Sequence, residues 1–264
     1  MKILVVIKQV PERDAPVRID PSGKAIDDSD LQYAMNEPDA YALEEALQLK
    51  ERSAAPDDEV IVLSAGPERV GTTLRDALAK GADRGIHILS DGLGSLDALG
   101  VATLLAAAIK QESPDLILTG LQSEDLGLGQ TGVIVAELLG LPHATLILHV
   151  EKIKTGPNGT TIEAKRELEQ GWFQSIQLPA PAVLTIQSGG TKLRYATLMG
   201  IKRARIKEVK QISAADLAPT STPVVLLQHI GLPKKQKSTQ MLTGTPKEAA
   251  AVLVEKLRTE AHVL

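Results

Sequence analysis

The residues best suited to chemistry lie in one glycine-rich segment, Gly120-Leu121-Gln122-Ser123-Glu124-Asp125-Leu126-Gly127-Leu128-Gly129-Gln130-Thr131-Gly132. Gly120, Gly127, Gly129 and Gly132 permit close backbone approach, while Ser123, Gln130 and Thr131 offer side-chain donors. That combination suits a nucleotide. The segment has neither the lysine of a Walker loop nor the GxGxxG order, so neither common phosphate motif applies. Two readings stand at this point: a nucleotide cradle, and a flexible glycine-rich link from strand to helix.

Groups for bond-making chemistry are sparse. His143, His229 and His262 show no metal-ligand spacing, and His87 and His149 fall inside expected strands as structural histidines. Ser64-Ala65-Gly66 and Ser188-Gly189-Gly190 have the small residues of a pyrophosphatase loop, but neither continues with an acidic residue and Ser. An ATP-cleaving enzyme is disfavoured. The absence of cysteine excludes thiolate nucleophiles, disulfides, Cys-ligated zinc and iron–sulfur clusters for this chain. No catalytic residue and no metal ligand is assigned.

A second segment has the chemistry of docking. Arg194-Tyr195-Ala196-Thr197-Leu198 leads into Met199-Gly200-Ile201 and then Lys202, Arg203, Arg205 and Lys207. An exposed apolar tip beside a run of cations suits a loop that engages an acidic partner through an apolar anchor. Arg166-Glu167 and Glu169, before Gly171, read as a solvated edge for Glu169; Glu167 is the residue suited to an intersubunit ion pair.

The elements that must position these segments follow from periodicity. Ile3–Ile7, 60–64, 85–89 and 116–119 are apolar runs of the kind found in strands of a parallel sheet covered on both faces. Helical spacing separates them. The first helix starts near Asn36 or Pro38 and buries Ala42, Leu43, Ala46, Leu47 and Leu49, with Glu44 and Glu45 turned outward. Others cover 68–80, stopped by Gly81, then 96–110 and 129–139. The alternation predicts a doubly wound, mostly parallel α/β sheet. In such sheets ligands bind outside the carboxyl ends of the strands, which adds Lys8–Pro11, Asn36–Asp39 and Ala65-Gly66-Pro67 to the candidate loops.

From Ala144 the pattern changes to strands at 144–152, 160–166, 172–177 and 182–186, with a turn at Gly156-Pro157-Asn158-Gly159 and antiparallel pairing expected throughout. After Lys210 a thinly structured stretch with Pro219, Pro223 and Pro233 runs to Gly244. A final helix begins with Thr245 as N-cap, Pro246 at the first position and Glu248 at the third. Such an arm either clasps a second chain or folds back on its own domain. The expected division is 1–210, with the docking segment near 190–207, and 211–264.

Composition sets the frame. With 264 residues and 43% hydrophobic content the chain can build a large core, and with aromatics at 2% that core must be aliphatic. A net charge of −4 argues against nucleic acid as the main partner and makes the basic run near residue 200 a local feature. No apolar run approaches the roughly 18–20 residues that span a bilayer, and Met1–Lys8 is too short for a signal h-region. The expected setting is the cytoplasm or the mitochondrial matrix.

Taken in order, these pieces resemble the β subunit of electron transfer flavoprotein over nearly the whole chain. The matching residues are Lys8-Gln9-Val10; Met35-Asn36 with Tyr41-Ala42-Leu43-Glu44-Glu45-Ala46; Ser64-Ala65-Gly66-Pro67; Leu78 to Arg84; and the Gly120–Gly132 loop. Arg166-Glu167 with Gly171, Leu178-Pro179-Ala180-Pro181-Ala182-Val183 and Arg194–Leu198 complete the series.

The resemblance implies a heterodimer whose α subunit holds most of the FAD contacts while this chain holds a buried AMP. It implies AMP contacts at Val6, Asn36, Glu37, Pro38, Asp39, Ala65 and the loop from Gly120 to Thr131. It also implies that Leu198 anchors a recognition loop, shaped by Tyr195, Ala196 and Thr197, for flavin dehydrogenases such as acyl-CoA dehydrogenases. Electrons would pass on to a membrane quinone oxidoreductase, as in fatty acid oxidation. Glu167 would pair with the mobile flavin domain, and residues 211–264 would contact the α subunit. Lys202, Arg203 and Arg205 either steer a dehydrogenase or pair with the α subunit. Bifurcating members, which hold a second FAD and oxidise NADH, carry an Asp-Gly-Asp-Thr/Ser-Ala-Gln-Val-Gly run. Here Asp125-Leu126-Gly127-Leu128-Gly129-Gln130-Thr131-Gly132 lacks its second acidic residue, and Gln130-Thr131-Gly132 resembles the AMP-holding form. Glu37-Pro38 stands where the family more usually has Pro followed by an aromatic residue. A stand-alone nucleotide-binding stress-type protein is the remaining alternative.

Overall fold

The computed structural model describes residues 1–157, 159–217, 223–233 and 239–264. Asn158 of the expected turn and Pro219 of the expected arm lie outside the described residues. Residues 1–228 form one compact unit and residues 229–264 a second.

The first unit is built on one nine-stranded sheet. Its first half alternates β1 (Lys2–Val6), α1 (Glu37–Ser53), β4 (Glu59–Gly66), α2 (Val70–Lys80), β5 (Arg84–Leu89), α3 (Ala98–Glu112), β6 (Leu116–Gly120) and α4 (Thr131–Leu139). Two short strands, β2 (Gln9–Pro11) and β3 (Tyr33–Met35), pair as a separate antiparallel ribbon between β1 and α1. The second half contributes β7 (His143–Gly156), β8 (Gly159–Glu167), β9 (Phe173–Pro179), β10 (Ala182–Ile186), α5 (Leu198–Ala204), β11 (Val209–Ser213) and α6 (Ala214–Leu217). The order across the sheet is β11-β5-β4-β1-β6-β10-β7-β8-β9.

Period-two alternation divides the strand side chains between two cores, as a doubly wound sheet requires. Ile3, Val5, Val60, Val62, Leu116, Leu118 and Leu184 face α1 and α2. Leu4, Ile61, Leu63, Ile86, Ile117 and Val183 face α3 and α4. Both cores are aliphatic, and Trp172 and Phe173 are exposed.

Three expectations need correction. β10 is a parallel strand inserted between β6 and β7, paired with both in parallel register, instead of a member of the antiparallel group. All five of its residues are buried, the mark of a strand covered on both faces. Antiparallel pairing holds for β7 with β8 and for β8 with β9. The stretch after Lys210 is not thinly structured at its start: β11 pairs with β5 at the sheet edge across the expected 210/211 boundary, and α6 follows. Glu44 and Glu45 are buried rather than outward, because each meets a partner from a distant segment.

In the second unit, α7 (Pro246–Thr259) opens with the expected capping box between Thr245 and Glu248 and Pro246 in the first turn. None of its residues is buried.

Candidate functional site

The chain steps from β1 to β4 and β5 on one side, then crosses back through α3 to β6 on the other. The direction of winding therefore reverses between β1 and β6, and the loops after their carboxyl ends flank the crevice where open α/β sheets bind ligands. Val6 and Thr119 are paired neighbours at this edge, and Val6 also pairs with Leu63 just before Ala65. The sequence-predicted residues Val6, Asn36–Asp39, Ala65 and Gly120–Thr131 are thus brought to one end of the sheet.

The start of α1 fastens the glycine-rich loop. Buried Asn36 donates from Nδ2 to the Gln122 carbonyl at 3.0 Å and accepts the Glu124 N–H at 3.0 Å, while its own N–H donates to the Lys8 carbonyl at 2.9 Å. Asp39 accepts the Lys8 N–H on Oδ2 at 2.7 Å and the Gly120 N–H on Oδ1 at 2.9 Å. Burial pushes the Asp39 carboxyl up to about 7, against the opposing pull of these backbone donors and of Asn36. Gly120 is required at this position: a Cβ there would lie 2.2 Å from Asp39 Oδ1 and 2.8 Å from the Asp39 nitrogen.

Two cations cross the mouth. Lys8 Nζ meets both Asp125 oxygens at 2.7 and 2.6 Å, and Ser123 Oγ lies 3.4 Å away. Burial raises the Asp125 carboxyl, but Lys8 and the hydrogen bonds from Ser123 and Leu126 outweigh it and hold it below its ordinary value. Arg13, from the segment between β2 and β3, bonds Glu37 and Glu124. Sequence reasoning did not single out Arg13, and no local signal marks it, because its partners lie 24 and 111 positions away.

Beyond this fastened half the loop turns at Gly127 and Gly129, with φ of 63° and 62°, and exposes Leu126 and Leu128. It enters α4 with no side-chain cap on its first N–H groups. Those donors form a ready anion site. Beneath them Thr119, Thr185 and Gly132 pack closely; a Cβ on Gly132 would lie 2.5 Å from Thr119 Oγ1 and 2.8 Å from Thr185 Cγ2. Thr185 Oγ1 is buried without a hydrogen-bond partner among the described residues, while the Thr185 methyl is the atom that approaches Gly132. Thr185 went unnoticed in the sequence because β10 was assigned to the wrong pairing.

The docking segment has the expected exposed tip: Tyr195 is 89% and Leu198 87% exposed. Met199 and Ile201 are exposed as well, and Ala196 is half-buried against the core. Leu198 opens α5 with Thr197 as its N-cap, its side chain accepting the Gly200 N–H. The cations divide into two groups, which the sequence did not show. Lys202, Arg203 and Arg205 are exposed and make no ion pair among the described residues. Arg194 is spent on Glu44 and Glu51, and Lys207 on the carbonyls of Leu78 and Ala82 at the end of α2. Burial lowers the Lys207 ammonium from its ordinary value.

Glu167 ends β8 half-buried, while the neighbouring Arg166 donates from Nε to the Thr145 carbonyl at 2.8 Å. Arg166 and Glu167 form no ion pair with each other among the described residues. Exposed Leu168, Trp172 and Phe173 adjoin Glu167, with Lys165 Nζ 4.0 Å from the Phe173 ring centre.

The family model described as "Electron transfer flavoprotein domain" matches residues 24–217. The chain is 40% identical over 261 residues to the electron transfer flavoprotein subunit beta of Methylophilus methylotrophus, covering 97% of each. It is 34% identical over 264 residues to the mitochondrial protein of that name from Arabidopsis thaliana, covering 100% of each. The corresponding mouse protein is 32% identical over 260 residues, with 98% of this chain and 97% of that one covered. No helix among the described residues is long and apolar enough to cross a membrane. A full-length match to β subunits, on a doubly wound sheet whose switch-point loop is the expected glycine-rich segment, means that this chain belongs to the electron transfer flavoprotein family as a β subunit, an electron-transport flavoprotein chain with an α subunit for its partner.

Proposed function

We propose that this chain and its α partner carry electrons from flavin dehydrogenases, such as acyl-CoA dehydrogenases, to a membrane quinone oxidoreductase, with AMP held in this chain. The uncapped start of α4, reached by a glycine-rich loop that Asn36 and Asp39 hold in place, carries this reading. Backbone N–H groups would meet the phosphate. Lys8 and Arg13 already face carboxylates, so among the described residues the site has no unpaired lysine of the kind that reads a transferring phosphate. A monophosphate kept as a structural filler fits that charge balance. FAD, held mainly by the α subunit, supplies the electron-accepting chemistry.

Leu198, Tyr195 and Met199 form the apolar contact for the dehydrogenase, and Lys202, Arg203 and Arg205 steer its acidic surface. Glu167, with exposed Trp172 and Phe173 beside it, faces the flavin domain, and α7 with its unburied apolar residues contacts the α subunit. Denaturing the purified heterodimer and identifying the released nucleotides tests the assignment. One FAD with one AMP is expected; two FAD without AMP would instead mark a bifurcating complex that oxidises NADH. A chain that is stable and nucleotide-loaded without any α subunit would favour the stand-alone alternative. Leu198→Ala should weaken reduction by the dehydrogenase while leaving FAD content and chemical reduction unchanged.

A further inference from the structure

The tip helix α5 has seven residues, of which only Ala204 is buried. A helix that short does not persist in water on its own, so its order must come from what it is fastened to. The fastenings come from two neighbouring helices. On the α1 side, Glu44, Gln48 and Glu51 lie three or four residues apart on one face, and all three reach the segment that leads into α5. Arg194 donates from its backbone N and Nε to Glu44 Oε2 at 3.2 and 2.8 Å and from Nη2 to Glu44 Oε1 at 3.0 Å. Its Nη1 and Nη2 reach Glu51 at 2.7 and 3.0 Å. Gln48 Nε2 donates to Thr191 Oγ1 at 2.8 Å and to Glu44 Oε1 at 2.8 Å.

The α2 side holds the other end. Arg75 Nη1 donates to the carbonyls of Ala204 and Lys207 at 2.6 and 2.7 Å, and Lys207 Nζ returns to the end of α2. Gly200 rests against α2 so closely that a Cβ would lie 2.2 Å from the Ala79 carbonyl oxygen.

We propose that Arg194 is a positioning residue: clamped between Glu44 and Glu51, it holds the approach to α5 in one conformation, so that Tyr195 and Leu198 are presented to the dehydrogenase already ordered. This rests on the docking role given to Leu198 above. Four guanidinium hydrogen bonds to two carboxylates occupy nearly all of its five donors, leaving little for an external partner. Arg194 therefore acts on docking through the tip and not by touching the partner. Glu44 is the buried half of the clamp. Burial pushes its carboxyl up, but Arg194 and Gln48 more than offset this and hold it below its ordinary value. Lysine cannot replace Arg194 here, because one ammonium does not match the forked geometry of two carboxylates.

Two variants of the FAD-loaded heterodimer test this, Arg194→Gln and the milder Glu51→Gln, whose side chain is more than half exposed. Hydrogen exchange of residues 191–206 should quicken in both, more in Arg194→Gln. If the loosened tip is competent about one-tenth of the time, KM for the heterodimer with an acyl-CoA dehydrogenase rises about tenfold. kcat, FAD content and chemical reduction should stay within about twofold. Arg194→Lys should recover less than half of the loss. Unchanged exchange at 191–206 in Arg194→Gln overturns the clamp. Quickened exchange with unchanged KM overturns the positioning role, and the Leu198→Ala heterodimer shows which idea has failed. If Leu198→Ala raises KM while Arg194→Gln does not, docking stands and positioning falls; if neither raises it, the docking reading itself falls.

Discussion

Replacing Gly120 with alanine should break the proposed nucleotide site through packing, because the new methyl group has no place to go. The Cβ would lie 2.2 Å from Asp39 Oδ1, 2.8 Å from the Asp39 nitrogen and 2.8 Å from Pro38 Cβ. One of the three is backbone and another is a buried proline carbon, so neither yields by a rotamer change. Forcing extra volume into such a contact costs about 1–3 kcal/mol. Driving the Asp39 carboxylate away also strands the Gly120 N–H it accepts at 2.9 Å, which adds about 1–3 kcal/mol for an unsatisfied buried donor. The combined loss is about 2–6 kcal/mol, concentrated where α1 meets the loop. Gly127→Ala is the matched control, since nothing lies within 4 Å of its Cβ and only the φ of +63° opposes it, at about 1–2 kcal/mol. Urea denaturation of both purified heterodimers, with nucleotide content measured after gel filtration, reads the difference. Gly120→Ala should lose bound nucleotide and several times more stability than Gly127→Ala. Equal losses, or a Gly120→Ala heterodimer within about 1 kcal/mol of wild type with its nucleotide retained, would refute the close packing described here.

The Asp39 carboxyl, pushed up to about 7 by burial, gives a pH dependence whose sign follows from that shift. The native state holds a proton that the unfolded chain has already released, so this group's contribution falls as pH rises from about 4 to about 7 and is flat above, on a scale of roughly 4 kcal/mol. Thermal stability of wild type relative to Asp39→Asn across that window checks it; a difference that grows with pH would show that the backbone donors keep the group ionised. Glu45→Ala should destabilise the heterodimer by about 2–4 kcal/mol, because the Val150 N–H, Arg52 and His149 all lose a buried acceptor. Melting temperature measures it, and a change under about 1 kcal/mol would sink the account.

Much of this was legible in the sequence for plain reasons. Strands β1, β4, β5 and β6 are mostly apolar and β-branched, and the helices between them carry one apolar stripe each, so the doubly wound half follows from period alone. β10 carries the same signature in Ala182–Ile186, but its place in the sequence directly after the hairpin strands hides its parallel pairing. β11 escaped because its apolar residues are few and its Lys and Gln suit an edge as well as a loop. The candidate site was visible as glycines, yet its fastening was not. Lys8 to Asp125 spans 117 positions and Arg194 to Glu44 spans 150, and pairs at such separation leave no local pattern.

The misreading of Glu44 and Glu45 points to what α1 does for the whole chain. Asp39, Glu44 and Glu45 are all buried on this one helix, although burying a carboxylate is costly unless it is paired. Each is satisfied by a different distant segment. Asp39 takes the backbone just after β1 and at the end of β6, Glu44 takes Arg194 on the way to α5, and Glu45 takes the Val150 N–H and His149 of β7. Aliphatic side chains at these positions would pack against any apolar neighbour, whereas an unmet carboxylate penalises every arrangement but one. The three acids thus specify which segments join α1, and in what register, at the glycine-rich loop, the approach to α5 and the antiparallel extension. A shared helix does not by itself couple those three regions, because coupling requires an element with two arrangements that both sites bias. It does mean that a substitution in α1 can be felt at the proposed docking tip without any contact with a partner, which is the behaviour the Glu51→Gln variant is designed to detect.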